Sequence, residues 1–220
     1  MPLPRFATLA PDRRAAILTA AAEEFARAGL EGASYNQIIA RAGASKGAMY
    51  YYFDNKEDLF LTVVDDLAAR AVAAIGGLAP FTDAAGFWRE MHGLCARTTA
   101  FVMSDPHVAG LAKHLVSAGQ DSPVGRLVAD HTQRLEAFTA ALLLRGQAVG
   151  AVRTDLPVAL LAHLLMGLGE ALDRWMLSRV DQLGPADLAA VPDQYVDLFA
   201  RLVAPGPPTG QVPKTRKKQP

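Results

Sequence analysis

The sequence predicts an all-α protein, with an N-terminal three-helix helix-turn-helix domain joined by a linker helix to a larger C-terminal helical domain. Three observations carry this reading. Apolar residues recur at three- and four-residue spacing through most of the chain, glycine and proline fall mainly between those stretches, and no run keeps the two-residue alternation of a strand. At 220 residues, 51% of them hydrophobic, the chain can bury a substantial core.

From Asp12 to Ala28, Ile17, Ala21 and Phe25 recur every fourth position, and Gly29 follows where a helix would stop. Ser34 then offers an acceptor for the unpaired amides of a second helix, which runs to about Ala42. Gly43 and Ala44 alone separate that end from Ser45, the expected cap of a third helix carrying Lys46, Gly47, Ala48, Met49, Tyr50 and Tyr51. Two short helices around so tight a glycine-containing turn form a helix-turn-helix. Asp54 or Asn55 caps a fourth helix that opens with Lys56, Glu57 and Asp58 and continues through Leu59, Val63, Leu67 and Val72, a length suited to a connector.

Beyond Gly76, Gly77 and Pro80, five further helices are expected near 82–103, 106–118, 123–148, 156–179 and 185–203. The expected division is a helix-turn-helix domain over 1–57, a helical domain over 58–204 and a basic, proline-rich, disordered tail over 205–220.

Basic and acidic residues balance at 22 each, but Lys214, Arg216, Lys217 and Lys218 lie in the tail, which leaves residues 1–203 at a formal −4. Such a body does not coat nucleic acid by bulk charge; any DNA binding rests on locally placed groups. Cys95 is the single cysteine, so neither an intrachain disulfide nor a multi-cysteine metal cluster forms. His92 with Cys95, or His107 with His114, supplies two metal ligands where three or four are needed, so no metal and no cofactor is expected. The start reads unlike a signal peptide, and the longest apolar run, Leu156 to Leu168, contains Pro157 and His163; the expectation is a soluble cytoplasmic protein with no membrane contact.

The stretch from Phe25 to Gly29, followed by Ser34-Tyr35-Asn36-Gln37-Ile38-Ile39-Ala40-Arg41-Ala42-Gly43-Ala44-Ser45-Lys46-Gly47-Ala48-Met49-Tyr50-Tyr51-Tyr52-Phe53-Asp54-Asn55-Lys56-Glu57-Asp58-Leu59, resembles the DNA-binding segment of the TetR family of bacterial regulators. That segment reads roughly Thr-x-x-x-Ile-Ala-x-x-Ala-Gly-Val-Ser-x-Gly-x-Leu-Tyr-x-Tyr-Phe-x-x-Lys-x-x-Leu. The departures are Ser34 for threonine, Ile39 for alanine and Ala44 for valine. Serine keeps the hydroxyl, and the larger Ile39 beside the smaller Ala44 conserves volume if the two share a turn.

The resemblance implies that the third helix reads DNA. Gly47 and Ala48 let backbone approach the groove while Lys46 reaches a guanine edge or a phosphate. Tyr50 and Tyr51 offer hydroxyls to phosphate, whereas Tyr52 and Phe53 pack inward. Lys56, in the first turn of the fourth helix, adds charge where helix amides already favour an anion. With Ser34, Tyr35 and Ser45, these form the candidate DNA-binding set.

In the second half, Phe87, Met91, Leu94, Thr98 and Val102, with Trp88 and Cys95, make one apolar stripe; Val124, Leu127, His131, Leu135, Phe138 and Leu142 make another. The resemblance implies a cavity among these helices, so Trp88, Met91, Cys95, Thr98, His131, Leu135 and Phe138 are candidate ligand contacts for a small, partly apolar effector. Thr98 and His131 interrupt their stripes, and each bonds either a ligand or a neighbouring protein group, since an unpaired buried polar group costs about 1–3 kcal/mol.

The helices near 156–179 and 185–203 carry Leu160, Leu161, Leu164, Leu168, Leu172 and Trp175, then Leu188, Tyr195, Leu198, Phe199 and Leu202. In the resembled family such a pair builds a four-helix homodimer interface, which would set two recognition helices on a near-palindromic double-stranded operator. The expected function is a repressor that releases this operator when the effector binds. Against an enzyme, the chain has no Gly-x-Ser-x-Gly elbow and no phosphate-binding loop. A helical scaffold with a degenerate helix-turn-helix is the other alternative.

Overall fold

A computed structural model describes residues 4–118 and 121–206. Its helices are α1 (Pro4–Ala7), α2 (Pro11–Gly32), α3 (Tyr35–Arg41), α4 (Lys46–Tyr52), α5 (Lys56–Ile75), α6 (Ala84–Met103), α7 (Pro106–Ser117), α8 (Pro123–Leu127), α9 (Ala129–Ala148), α10 (Val158–Leu177) and α11 (Pro185–Val203), with a 3-10 turn at Val180–Gln182. No strand occurs among the described residues, and none of their helices is long and apolar enough to cross a membrane. The basic residues of the expected tail lie outside the described residues.

The helix starts follow local chemistry. Ser34 Oγ accepts from Gln37 N at 3.4 Å, Ser45 Oγ accepts from Ala48 N at 3.1 Å, and Asn55 Oδ1 accepts from Asp58 N at 2.8 Å. Gly29, at φ 66°, breaks α2 at the expected stop, although the chain makes one more helical turn beyond it.

Two features differ from the sequence expectation. The chain folds a short helix, α1, ahead of the expected first one. The single helix expected over 123–148 is two helices, broken at Val128 (φ −97°, ψ 7°). The break resets the buried face: Val124, Leu127 and Val128 pack toward the N-terminal core, while α9 buries Thr139, Leu142, Leu143 and Gly146. A stripe extrapolated across 124–142 therefore does not stay on one side.

Three apolar clusters hold the molecule together. The first joins Phe6, Phe25, Ile38, Met49, Phe53, Leu59 and Phe60 and reaches forward to Leu111 of α7. The second gathers Phe87, Leu142, Leu143, Val152, Leu161 and Ala162, and the third Met176, Leu177 and Val191. Leu111 shows how the halves meet: α7 lies along α2. Their contact is tight, since a side-chain carbon added at Gly110 would stand 3.0 Å from Ala26 Cβ and 3.1 Å from Ala26 O. One turn on, His114 Nε2 lies 3.1 Å from that same carbonyl, with its ring over Gly29.

Candidate nucleic-acid interface

The helix-turn-helix is built from α3, a four-residue connection over 42–45 and α4. Gly43 takes φ 60°, and Ala44 N donates to Ile39 O at 3.2 Å across the turn. Ile39 and Ala44 both lie at this turn, partly buried against the first core. Ile38, Met49 and Phe53 are fully buried and fix α4 from beneath.

What α4 presents outward is small and polar. Lys46 and Gly47 are exposed, Ala48 is half-buried, and Tyr50 and Tyr51 expose 52% and 50% of their surface. A side-chain carbon added at Gly47 would meet nothing within 4 Å, in contrast to Gly146, where it would collide with Val152 and Phe87. Packing inside the chain explains Gly146 and leaves Gly47 unexplained, although an interior helical glycine costs about 0.5–1 kcal/mol relative to alanine.

The remaining predicted residues are placed less uniformly. Tyr35 turns its hydroxyl inward, buried without a hydrogen-bond partner, and its ring lies 5.5 Å from that of Tyr50. Burial, with Tyr50 and Asp58 nearby, pushes the Tyr35 phenol up to about 12. Lys56 Nζ donates to the carbonyls of Glu31 and Ala33 at 3.0 and 3.1 Å, closing the end of α2. Two of its three N–H bonds are thereby committed within the chain.

Sequence reasoning missed the group that organises the turn from behind. Glu24 is fully buried; it accepts from Arg27 at 2.7 and 3.2 Å and from Ser34 N at 3.0 Å, with Arg41 3.5 Å away. The Arg27 hydrogen bond, then that from Ser34, holds its carboxyl below the ordinary range. The local sequence Glu23-Glu24 reads as a solvated pair, and only the return of Ser34 ten residues later reveals the acceptor role.

In the second half, Trp88 and Met91 pack partly buried against the second cluster, and Cys95 lies one turn further along α6. Burial, and secondarily Asp173, pushes the Cys95 thiol up to about 11. Thr98 is exposed, and Leu135 and Phe138 expose 52% and 44% of their surface. These three are not drawn together with Trp88 and Met91 within one chain. His131 Nε2 stands 3.0 Å from Asp65 Oδ1 of α5, a carboxylate partner rather than a carbonyl. A cavity of about 290 Å³ opens instead between α2, α5 and α7, lined by Leu18, Val63, Leu67, Val108 and Leu111 together with Asp66, Arg70, Asp105 and His107, none of them a predicted ligand contact.

The family described as "Bacterial regulatory proteins, tetR family" matches residues 17–63, the span from mid-α2 through the first turns of α5. Over that span the chain is similar to the TetR family of bacterial regulators. The match covers α3, the turn and α4, and it supports a DNA-binding transcription regulator. The HTH-type transcriptional repressor AcnR of Corynebacterium glutamicum is 29% identical over 153 residues, 69% of this chain and 75% of that protein. In fold, the chain is similar to a TetR family regulator from Chloroflexus aurantiacus, with TM-score 0.65, 23% identity and coverage of 92% of this chain and 98% of that one. It is also similar to FadR of Bacillus subtilis, solved in complex with stearoyl-CoA, with TM-score 0.71, 16% identity and coverage of 84% and 97%.

Proposed function

We propose that the protein is a homodimeric repressor that holds a near-palindromic operator and releases it when a small, partly apolar effector enters the helical domain. The observation that carries the DNA-reading half is the outward face of α4, where Lys46, Gly47 and Ala48 present a surface low enough for backbone to approach base edges. Ser34, Ser45, Tyr50 and Tyr51 flank that face with hydroxyls for phosphate. Tyr35 supports Tyr50 through its ring, and the third N–H of Lys56 serves the phosphate role.

Dimerisation is supported by the outer surface of the last long helices. Leu160, Leu164 and Trp175 of α10 and Leu198 of α11 are all more than a third exposed in the single chain. Leu160, Leu164 and Trp175 follow helical spacing with the exposed Gly167 and Ala171 between them, which lets a second copy approach closely. Two-fold pairing then separates the recognition helices by roughly 34–36 Å, one turn of DNA.

For the effector, Trp88, Met91 and Cys95 of α6 offer the apolar wall, and His131 offers a polar contact already tied to the connector helix through Asp65. A ligand that competes for His131 loosens α5 beneath the helix-turn-helix, and binding must favour that state or nothing shifts. The acyl-CoA complex of the fold neighbour makes apolar-tailed molecules the first class to screen.

The deciding experiment is anisotropy titration of the protein against the DNA upstream of its own gene and against a scrambled duplex of equal length. Tighter binding to the upstream DNA, reversed by an effector, is expected. Equal affinity for both duplexes defeats the reading and favours a helical scaffold.

A further inference from the structure

We infer that Arg5 is a second DNA-binding element, a backbone-phosphate contact that the N-terminal helix α1 holds against the recognition helix; this rests on the DNA-reading role of α4. The construction begins with Phe6. Its side chain is 4% exposed and inserts beside Phe53, at 4.8 Å between ring centroids, and Tyr52, at 6.0 Å. These two residues end α4, so α1 is fastened to the C-terminal edge of the helix that faces DNA.

Fastening Phe6 places its neighbour. Arg5 is exposed, and its guanidinium carbon lies 4.4 Å from the centroid of the Tyr51 ring. A guanidinium stacked on an aromatic face uses its π-surface and keeps its five N–H bonds in the plane, directed outward at the edge. The stack thus orients the cation without consuming the donors that a phosphate needs. Thr8 Oγ donates to the Arg5 carbonyl at 2.8 Å, which fixes the backbone at the same point.

The electrostatics require such a group. Residues 1–203 carry a formal −4, and inside the helix-turn-helix Arg27 and Arg41 face Glu24 while Lys56 serves the end of α2. A cation held at the outer edge of α4 adds charge beside the exposed Lys46, where Arg27, Arg41 and Lys56 are engaged within the domain. The family match begins at Ile17, after α1.

The test is a salt titration of full-length protein on its upstream duplex and on a random duplex, comparing wild type with Arg5→Gln, Arg5→Lys and Tyr51→Phe. Losing one phosphate contact flattens the plot of log affinity against log salt by about one unit per occupied half-site. Arg5→Gln is expected to do this and to weaken both duplexes alike. Arg5→Lys restores the slope, and Arg5→Gln has the same effect in a Tyr51→Phe background, which keeps the ring. An unchanged slope in Arg5→Gln overturns the inference, as does a loss confined to the upstream duplex, which would mean base reading. Both outcomes leave wild-type DNA binding intact; absence of wild-type binding defeats the functional reading itself and this inference with it.

Discussion

Glu24 is the residue on which the geometry of the helix-turn-helix turns, because its buried carboxylate orders the backbone at Ser34 before α3 begins. Its folded-state pKa is depressed, chiefly by the Arg27 hydrogen bond and then by Ser34 N. Its contribution is therefore present above the ordinary glutamate value of 4.5 and is lost as pH falls through the folded-state value. Glu24→Gln is expected to lower the melting temperature at neutral pH and to flatten the decline of stability below pH 4.5, followed by circular dichroism. Lys56 gives a second residue-scale prediction. Lys56→Met removes two charge-assisted bonds to carbonyls and is expected to cost about 1–2 kcal/mol in urea unfolding, whatever its effect on DNA. The capping roles of Ser34, Ser45 and Asn55 were legible because donor and acceptor sit three residues apart. The pairings of Glu24 with Ser34, of Lys56 with Glu31 and Ala33 and of His131 with Asp65 were not, since the fold closes them across 10 to more than 60 positions of sequence.

At the scale of the element, α4 combines a rigid underside with a bare outer face. Gly47→Ala separates those two requirements. The methyl meets open space in the free protein and raises helix propensity, so the fold is expected to gain about 0.5–1 kcal/mol by thermal or urea denaturation. The same methyl obstructs the groove, and operator binding is expected to weaken by about 1–3 kcal/mol, the range of one mismatched base pair. If both quantities move the same way, Gly47 is not at the interface. Most helices were readable from their period, from Ile17 onward through Val72 and again from Leu160 through Leu202. The break at Val128 was not, because no glycine or proline marks it. The helix α1 is four residues long, too short to show a period, and exists because Phe6 finds a place beside Phe53.

For the whole molecule, the exposed row on α10 sets the expected assembly. Trp175 is large, half-exposed and covered on one side by Arg179, whose guanidinium lies 5.0 Å from the ring centroid. Trp175→Ala is expected to raise the dimer dissociation constant about thirtyfold, near 2 kcal/mol, measured by sedimentation velocity. Operator affinity should fall with it, since each copy carries one recognition helix. The grip of α7 on α2 then acquires a meaning for the DNA itself. Ala26 and Gly110 approach closely, so α2 is seated tightly on α7. One base pair inserted between half-sites lengthens their separation by about 3.4 Å and turns one against the other by about 35°. On the proposed two-fold operator, so tight a seat is expected to tolerate that change poorly, which would make spacing as well as base sequence a determinant of binding.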